Sequence, residues 1–517
     1  MIGLSKQVAR PAKFAGPKLL GLFRQLVECL HSEGVRYCHW KSNHGLLRAI
    51  GQGGDPGLLQ SGELDLDLLV DRKHITRFEG VLALLGFKRT IDPVKPHSTS
   101  VLHFHGLDAA TGALLHLHVY YRIVTGESLL KNYRLPLEEL LLANARKVEG
   151  LPIVDPKVEL IIFIIRMMVK YGSLAEQVLV GIDKKAVLVE LESLLADGSQ
   201  KATEGLIEAW LPGLSPALFG DCVTALRDGT SRVRRYLLGR RLRRQLASYR
   251  CFSRIGEATR RAGIFWQRLL WRLLSWSSSR QDHASGGAVI AFIGLDASGK
   301  STLMRETAAW LGKVFRLDAE HLGKPPSAWL TLLPNLARRL VAWLAPHLRM
   351  SARQDGCTAN SGSKGGLLYR LRMVMLAWDR RALALRLRRK AANGWIVLCD
   401  RYPSAQVGAI DGAALPLPAA GAGGGLKGYL ALLENRLYRQ IASPDIVIRV
   451  VAPAEVAVER NRQRREPGKE KSDSYVAYNH RNVNLPAFLS AHTVELDTNR
   501  SRADTVQHLR RILWQLL

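Results

Sequence analysis

No stretch of this 517-residue sequence is both long and free of charge. The most apolar run, VELIIFIIRMMV from Val158 to Val169, carries Glu159 and Arg166 and is too short to cross a bilayer. A buried helix is expected there. Cysteine is sparse. Cys29, Cys38, Cys222, Cys251, Cys357 and Cys399 show neither CxxC nor metal-finger spacing. That argues against a disulfide framework and fits reduced thiols. The opening MIGLSKQVARPAKFAGPKLLGLF is basic but has no long apolar core or small-residue cleavage site, so a secretory signal is not expected. There is no internal repeat. Acidic residues are also scarce: 45 Asp and Glu face 74 Lys and Arg, for a net charge of +29. Such a balance implies an acidic partner, whether nucleotide, nucleic acid or anionic lipid. The expected location is cytoplasmic, with peripheral attachment to the inner membrane face as an addition.

What is present falls into three textures, on a chain too long for one core. Residues 1–155 mix short alternating runs, LDLDLLV (Leu64 to Val70) and ALLHLHVYY (Ala113 to Tyr121), with helical patterns. Residues 156–284 read as helical and increasingly basic. SSSRQDHASGG (Ser277 to Gly287) reads as a linker. Residues 285–517 alternate near-continuous apolar strands with helices. The strands are AVIAFIG (Ala288 to Gly294), GWIVLCD (Gly394 to Asp400), DIVIRVVA (Asp445 to Ala452) and HTVELD (His492 to Asp497). This pattern predicts an α/β fold with a parallel sheet covered on both faces. LPLPAAGAGGG (Leu415 to Gly425) is expected to be a mobile loop.

Gly294, Gly299, Lys300 and Ser301 form G-x-x-x-x-G-K-S after a strand and before a helix. Glycines let backbone N–H groups turn inward around phosphate oxygens. The lysine reaches the outer phosphates, the serine hydroxyl ligates Mg²⁺, and the helix adds its positive end. ATP and Mg²⁺ are the expected cofactors, with Ser298 and Thr302 among the expected ATP-binding residues. Asp400 ends a strand, where it can hold Mg²⁺ with Ser301. Arg460, Arg462, Arg464 and Arg465 lie close together after a strand. They read either as a solvated face or as a lid that neutralises charge during phosphoryl transfer.

These motifs, in this order, resemble the thymidylate kinase family over about 285–517. GLDASGKST looks like that family's loop. MLAWDRRALALRLRRKAANGWIVLCDRYP (Met375 to Pro403) is similar to its acceptor helix and D-R-Y strand end. PDIVIRVVAPAEVAVERNRQR (Pro444 to Arg464) is similar to its fourth strand, helix and lid. The resemblance implies a P-loop nucleoside monophosphate kinase fold. It implies acceptor binding by Asp296, Arg380 and Arg401, and catalysis by Lys300, Asp400, Arg460 and Arg464. It places Leu376 where the family stacks an aromatic on the base. The expansion between Gly323 and Gly366 and the segment PSAQVGAIDGAAL (Pro403 to Leu415) depart from the family pattern. dTMP is the leading candidate acceptor, a nucleoside monophosphate, alongside another small phosphate or a sugar tied to surface polysaccharide synthesis. An ATP-binding regulator on membrane or nucleic acid is a third reading. A phosphate acceptor needs no strong base. For a hydroxyl acceptor, Asp296 and Asp400 are the candidate bases. The oligomeric state stays open, a homodimer among the candidates.

In the first region, HWKSN (His39 to Asn43) precedes Asp65 and Asp67, which alternate on a strand and so share a face. They read either as a solvated edge or as an Mg²⁺ pair. The arrangement resembles the nucleotidyltransferase superfamily, in an α+β domain. That implies phosphate contacts from Lys41 and Ser42 and metal contacts from Asp65 and Asp67. The family's third acid would fall on His116, with His118 nearby. Between Arg232 and Arg280, arginine interleaves with Leu and Trp, and Glu257 is the only acid. Three readings stand: a helix packed on a domain, an interfacial helix on anionic lipid, or a nucleic-acid contact.

Overall fold

The computed structural model describes residues 21–50, 65–93, 101–127, 130–173, 176–177, 183–196, 199–228, 230–273, 280–323, 325–326, 366–418, 425–463, 472–483, 485–488 and 492–517. The chain divides into two compact units, Met1–Ser279 and Arg280–Leu517.

The first unit holds a mixed sheet and a helical layer. Its strands are β1 (Tyr37–His39), β2 (Asp65–Val70), β3 (Lys88–Ile91), β4 (Leu102–Leu107), β5 (Leu114–Tyr120), β6 (Ile123–Thr125), β7 (Tyr133–Leu135), β8 (Ala145–Val148) and β9 (Leu151–Val154). The sheet runs β3-β4-β5-β2-β1-β9-β8, and β6 and β7 form a separate hairpin. β2–β5 and β1–β9 pair parallel; the other pairs are antiparallel. Alternation sends Leu66, Leu68, Leu117 and Val119 into one core with Phe23, Leu26 and Phe78. It leaves Asp65, Asp67, His116 and His118 on the opposite face.

The expected boundary near residue 155 is not one. The helix Pro156–Tyr171 begins at an Asp155 cap with Pro156 in its first turn. It is apolar nearly all round, so it needs neighbours on every side. Its core includes Trp40, Tyr120 and Tyr133 together with Leu191, Phe219 and Leu242 from the later helices. The helix Arg232–Gln245 crosses close to its end. A Cβ on Gly239 would lie 2.4 Å from the Met168 carbonyl oxygen, and one on Gly172 would lie 2.7 Å from the Gly239 backbone. Only glycine permits that approach. Arg235 is buried, 5.1 Å from the Tyr171 ring centroid. Arg243 and Arg261 each pair with both Glu127 and Glu257 at 2.6–2.9 Å. Part of the basic stretch is thus internal framework. On the helix Arg254–Leu273, however, Ile255, Phe265, Trp266 and Leu270 are exposed.

The second unit opens with a short strand, β10 (Asp282–His283), inside the expected linker, whose residues 277–279 lie outside the described residues. Then come β11 (Ala288–Gly294), β12 (Leu317–His321), β13 (Ile396–Asp400), β14 (Ile446–Val451) and β15 (His492–Asp497). They form a parallel sheet in the order β12-β13-β11-β14-β15. β11 is buried at every position, as a central strand covered by helices must be. The chain leaves β11 to one side and returns on the other. In such sheets a crevice opens beyond the carboxyl ends of the strands at that point. β12 was not expected. Residues 419–424 of the expected mobile loop lie outside the described residues, and Leu415 is buried. Among the described residues, no helix is long and apolar enough to cross a membrane.

Candidate functional site

The crevice of the second unit is built from the ends of β11 and β13. Between β11 and the helix Lys300–Leu311 the backbone turns through left-handed conformations at Ala297 (φ 64°) and Gly299 (φ 97°). A Cβ on Gly294 would meet the Val450 carbonyl oxygen at 2.5 Å, so the first glycine is required by packing against β14. Lys300 is nearly buried and its Nζ donates to the Leu295 carbonyl oxygen at 2.8 Å. The ammonium is thereby held across the loop at the helix start, where a phosphate gains most from the helix dipole. Ser298 is fully buried, and Thr302 follows Ser301 on the first helical turn.

Ser301 Oγ donates to Asp400 Oδ2 at 3.0 Å. The other carboxylate oxygen, Oδ1, is buried without a hydrogen-bond partner among the described residues. A buried carboxylate oxygen left this way is costly unless something positive meets it. A hydroxyl and a carboxylate are hard oxygen donors of the kind Mg²⁺ takes. The pair fits that ion, and His321 Nδ1, 2.9 Å from the Asp400 carbonyl oxygen, lies beside it.

The expected acceptor residues meet around one that the sequence did not single out. Arg401, itself left-handed (φ 66°), reaches Asp296 Oδ1 at 3.1 Å and Asp411 Oδ2 at 3.3 Å. Asp411 is also left-handed (φ 58°). Strained non-glycine backbone of this kind persists where surrounding contacts fix it, often at functional sites. Arg380 differs from Arg401. It is buried, and its guanidinium donates to the carbonyl oxygens of Leu322, Gly323 and Asp411, to Tyr438 Oη and to Asp411 Oδ1. It holds Asp411 in place from behind, while Arg401 stays partly exposed. Leu376 lies half-buried on the helix Leu367–Ala392, one turn before Arg380.

The structure separates the arginines after β14. Arg460 donates to Thr498 Oγ1 (2.9 Å) and to the Thr498 carbonyl oxygen (2.7 Å), beside the Ser298 carbonyl. It buttresses the outside of the loop. Arg462 is exposed and pairs with Asp473 at 2.8 Å. Arg464 and Arg465 lie outside the described residues. His480, unforeseen from sequence, spans the Ala452 and Asp296 carbonyl oxygens at 3.2 and 2.7 Å. It ties the helix Asp473–Asn482 to the loop.

The first unit has its own polar face. Lys41 Nζ lies 2.8 Å from Asp67 Oδ1 and donates to Tyr120 Oη at 3.0 Å. Ser42 takes a left-handed conformation (φ 56°). Burial alone would raise the Asp67 carboxyl, but Lys41 and His118 outweigh it and hold it well below the usual range. Burial in turn lowers Lys41 against the pull of Asp67. His116 Nδ1 lies 2.7 Å from Asp65 Oδ1.

The turn carrying Lys41 is secured from below. Glu159 accepts from Asn43 N (3.0 Å) and Asn43 Nδ2 (2.7 Å). Burial pushes its carboxyl up to about 7, against those hydrogen bonds. The folded chain therefore binds a proton between the ordinary 4.5 and about 7 that the unfolded chain has lost, so stability falls as pH rises through that window. Glu159→Gln is expected to remove about 2 kcal/mol of that dependence. Urea midpoints of the first unit's transition, compared between pH about 5 and about 7.5, check it. Parallel pH profiles for the two proteins would refute it.

No family model matches the chain. A curated relative described as an uncharacterized ATP-binding protein, YghR of Escherichia coli strain K12, is 27% identical over 179 residues, covering 33% of this chain and 68% of the relative. Its counterpart in E. coli O6:H1 gives the same figures. Among solved structures, thymidylate kinase from Ehrlichia chaffeensis is 18% identical with a TM-score of 0.22, covering 44% of this chain and 98% of its own. TT1252 from Thermus thermophilus is 18% identical with a TM-score of 0.26, at 45% and 99%. From its own geometry, the chain is a mixed α/β protein with a glycine-lysine loop on the parallel sheet of its second unit and a distinct mixed sheet in its first.

Proposed function

We propose that the second unit is an ATP- and Mg²⁺-dependent phosphotransferase acting on a small phosphorylated acceptor, dTMP first among the candidates. The observation that carries this reading is the pairing of Ser301 with Asp400 at the mouth of the loop, with one carboxylate oxygen unpartnered among the described residues. The description of the E. coli relative as ATP-binding supports the nucleotide half of the reading. The acceptor half is supported by Arg401, which stands between two carboxylates on the same side of the crevice.

In this reading the loop amides and Lys300 hold the ATP phosphates. Ser301 and Asp400 would hold Mg²⁺, which supplies charge neutralisation when bound. Arg401 would be the cation that meets the acceptor, and binding it means leaving one of its carboxylate partners. Asp296, which touches Arg401, sets the distance between acceptor and loop. A phosphate acceptor is already anionic, so positioning and electrostatics suffice. Arg462 would close over the nucleotide, leaving its partner Asp473.

ADP release from Mg-ATP, measured across all nucleoside monophosphates, simple sugars and sugar phosphates, tests the reading. Selective turnover of dTMP is the expected result. Turnover only with a sugar or sugar phosphate would keep the phosphotransferase and replace its acceptor. Nucleotide binding with no acceptor-dependent turnover would sink the enzyme reading.

A further inference from the structure

The antiparallel pairing of β4 with β5 sets His103 opposite His118 and His105 opposite His116. The parallel pairing of β5 with β2 sets Asp65 opposite His116 and Asp67 opposite His118. Residues in register on adjacent strands share a face. Three strands therefore present two rows of donors side by side, Asp65-His116-His105 and Asp67-His118-His103.

His103, His116 and His118 each offer one ligand atom, and these atoms all lie within 4.8 Å of one another. His103 Nδ1 and His116 Nε2 are 3.2 Å apart. Two imidazole nitrogens on one tetrahedral ion, at about 2.0–2.1 Å each, would be separated by roughly 3.3 Å. The spacing is already that of one edge of such a site. The far side of His116 is also arranged for it: Nδ1 faces Asp65 Oδ1 at 2.7 Å, which turns Nε2 toward His103. A carboxylate behind a ligating histidine fixes its tautomer and raises its basicity. His105 stacks on the His116 ring at 4.1 Å with a 10° interplanar angle, which holds that ring in plane. The three candidate ligands are half-buried, so the site is supported and still reachable.

We propose that this face of the first unit binds a divalent transition metal of zinc-like preference through His103, His116 and His118, with Asp65 as the positioning carboxylate of His116. The donor set decides the class of ion. Imidazole suits zinc and its neighbours, whereas Mg²⁺ demands oxygen donors. The expected pairing of Asp65 and Asp67 around Mg²⁺ gives way here. Asp67 is engaged by Lys41, and Asp65 by His116.

The test uses the full-length chain with any affinity tag removed and metal stripped by chelator. Zn²⁺ is titrated by calorimetry and Co²⁺ by its visible ligand-field absorption, with Mg²⁺ as the comparison. One equivalent of Zn²⁺ is expected, with tetrahedral Co²⁺ colour that Zn²⁺ displaces and excess Mg²⁺ does not. His118→Gln combined with His116→Gln should abolish the colour. Asp65→Asn, milder for folding, should weaken Zn²⁺ binding about tenfold. Zn²⁺ should also raise the melting temperature of the natural protein and not that of the double variant. No saturable Zn²⁺ binding would overturn the proposal, as would unchanged affinity in a folded double variant. So would displacement of Co²⁺ by Mg²⁺ at comparable concentration.

Discussion

With Lys300 replaced by alanine, acceptor-dependent ADP release is expected to fall about 100- to 1,000-fold, the scale of losing one strong charge-stabilising donor at a reacting phosphate. The argument starts from where the ammonium sits. Lys300 is nearly buried, and Nζ rests on the Leu295 carbonyl oxygen at 2.8 Å. A phosphate entering the loop would offer that ammonium a charged acceptor, and charge-assisted hydrogen bonds are about twice as strong as neutral ones. Truncation removes the donor that meets the Leu295 carbonyl oxygen, a neutral acceptor, so folding is expected to change little. Steady-state kinetics with and without acceptor, beside a thermal melt, separate the two effects. A Lys300→Ala protein that melts like the parent and turns over within threefold of it would remove the phosphate loop from the reaction.

Asp400→Asn is expected to lower kcat about 100-fold and to shift the Mg²⁺ requirement upward. The amide can still accept from Ser301 but cannot meet a cation with a full charge. The same substitution should leave the fold as stable as before or more so, because a neutral amide replaces a carboxylate one oxygen of which is buried without a partner among the described residues. Loss of activity together with equal or higher stability is the signature of a functional carboxylate. A structural one would lose both. Rates measured over a range of Mg²⁺ concentrations, with urea midpoints alongside, decide between them.

The loop, the central strand and Asp400 were legible because their chemistry is local. A glycine-lysine turn between an apolar strand and a helix is written in consecutive residues, and β11 and β15 run as the apolar pattern predicted. β12 was not legible. LDAEH is a polar edge strand, half of whose hydrogen-bonding positions need no apolar neighbour. Asp411 was missed because it lies in a loop with no periodicity, and its role depends on Arg380 and Arg401 arriving from elsewhere. The third domain was an artefact of texture. A basic helical stretch reads as separate until the largely apolar helix Pro156–Tyr171 is seen to require it as a cover. His116 and His118 were noticed as an absence of acid. His103 and His105 were not noticed at all, since only strand register puts them beside the other pair.

The crossing at Gly172 and Gly239 bears on the colloidal behaviour of this protein. Because the two backbones touch there, Arg235 is pressed onto Tyr171 and Arg243 is drawn into a cage with Glu127 and Glu257. Those arginines are mortar between helices and are hidden from counterions. The count of 74 Lys and Arg therefore overstates the cations that an ion-exchange resin, a polyanion or a second molecule of the protein would meet. Its retention on a cation exchanger should follow the exposed lysines and arginines.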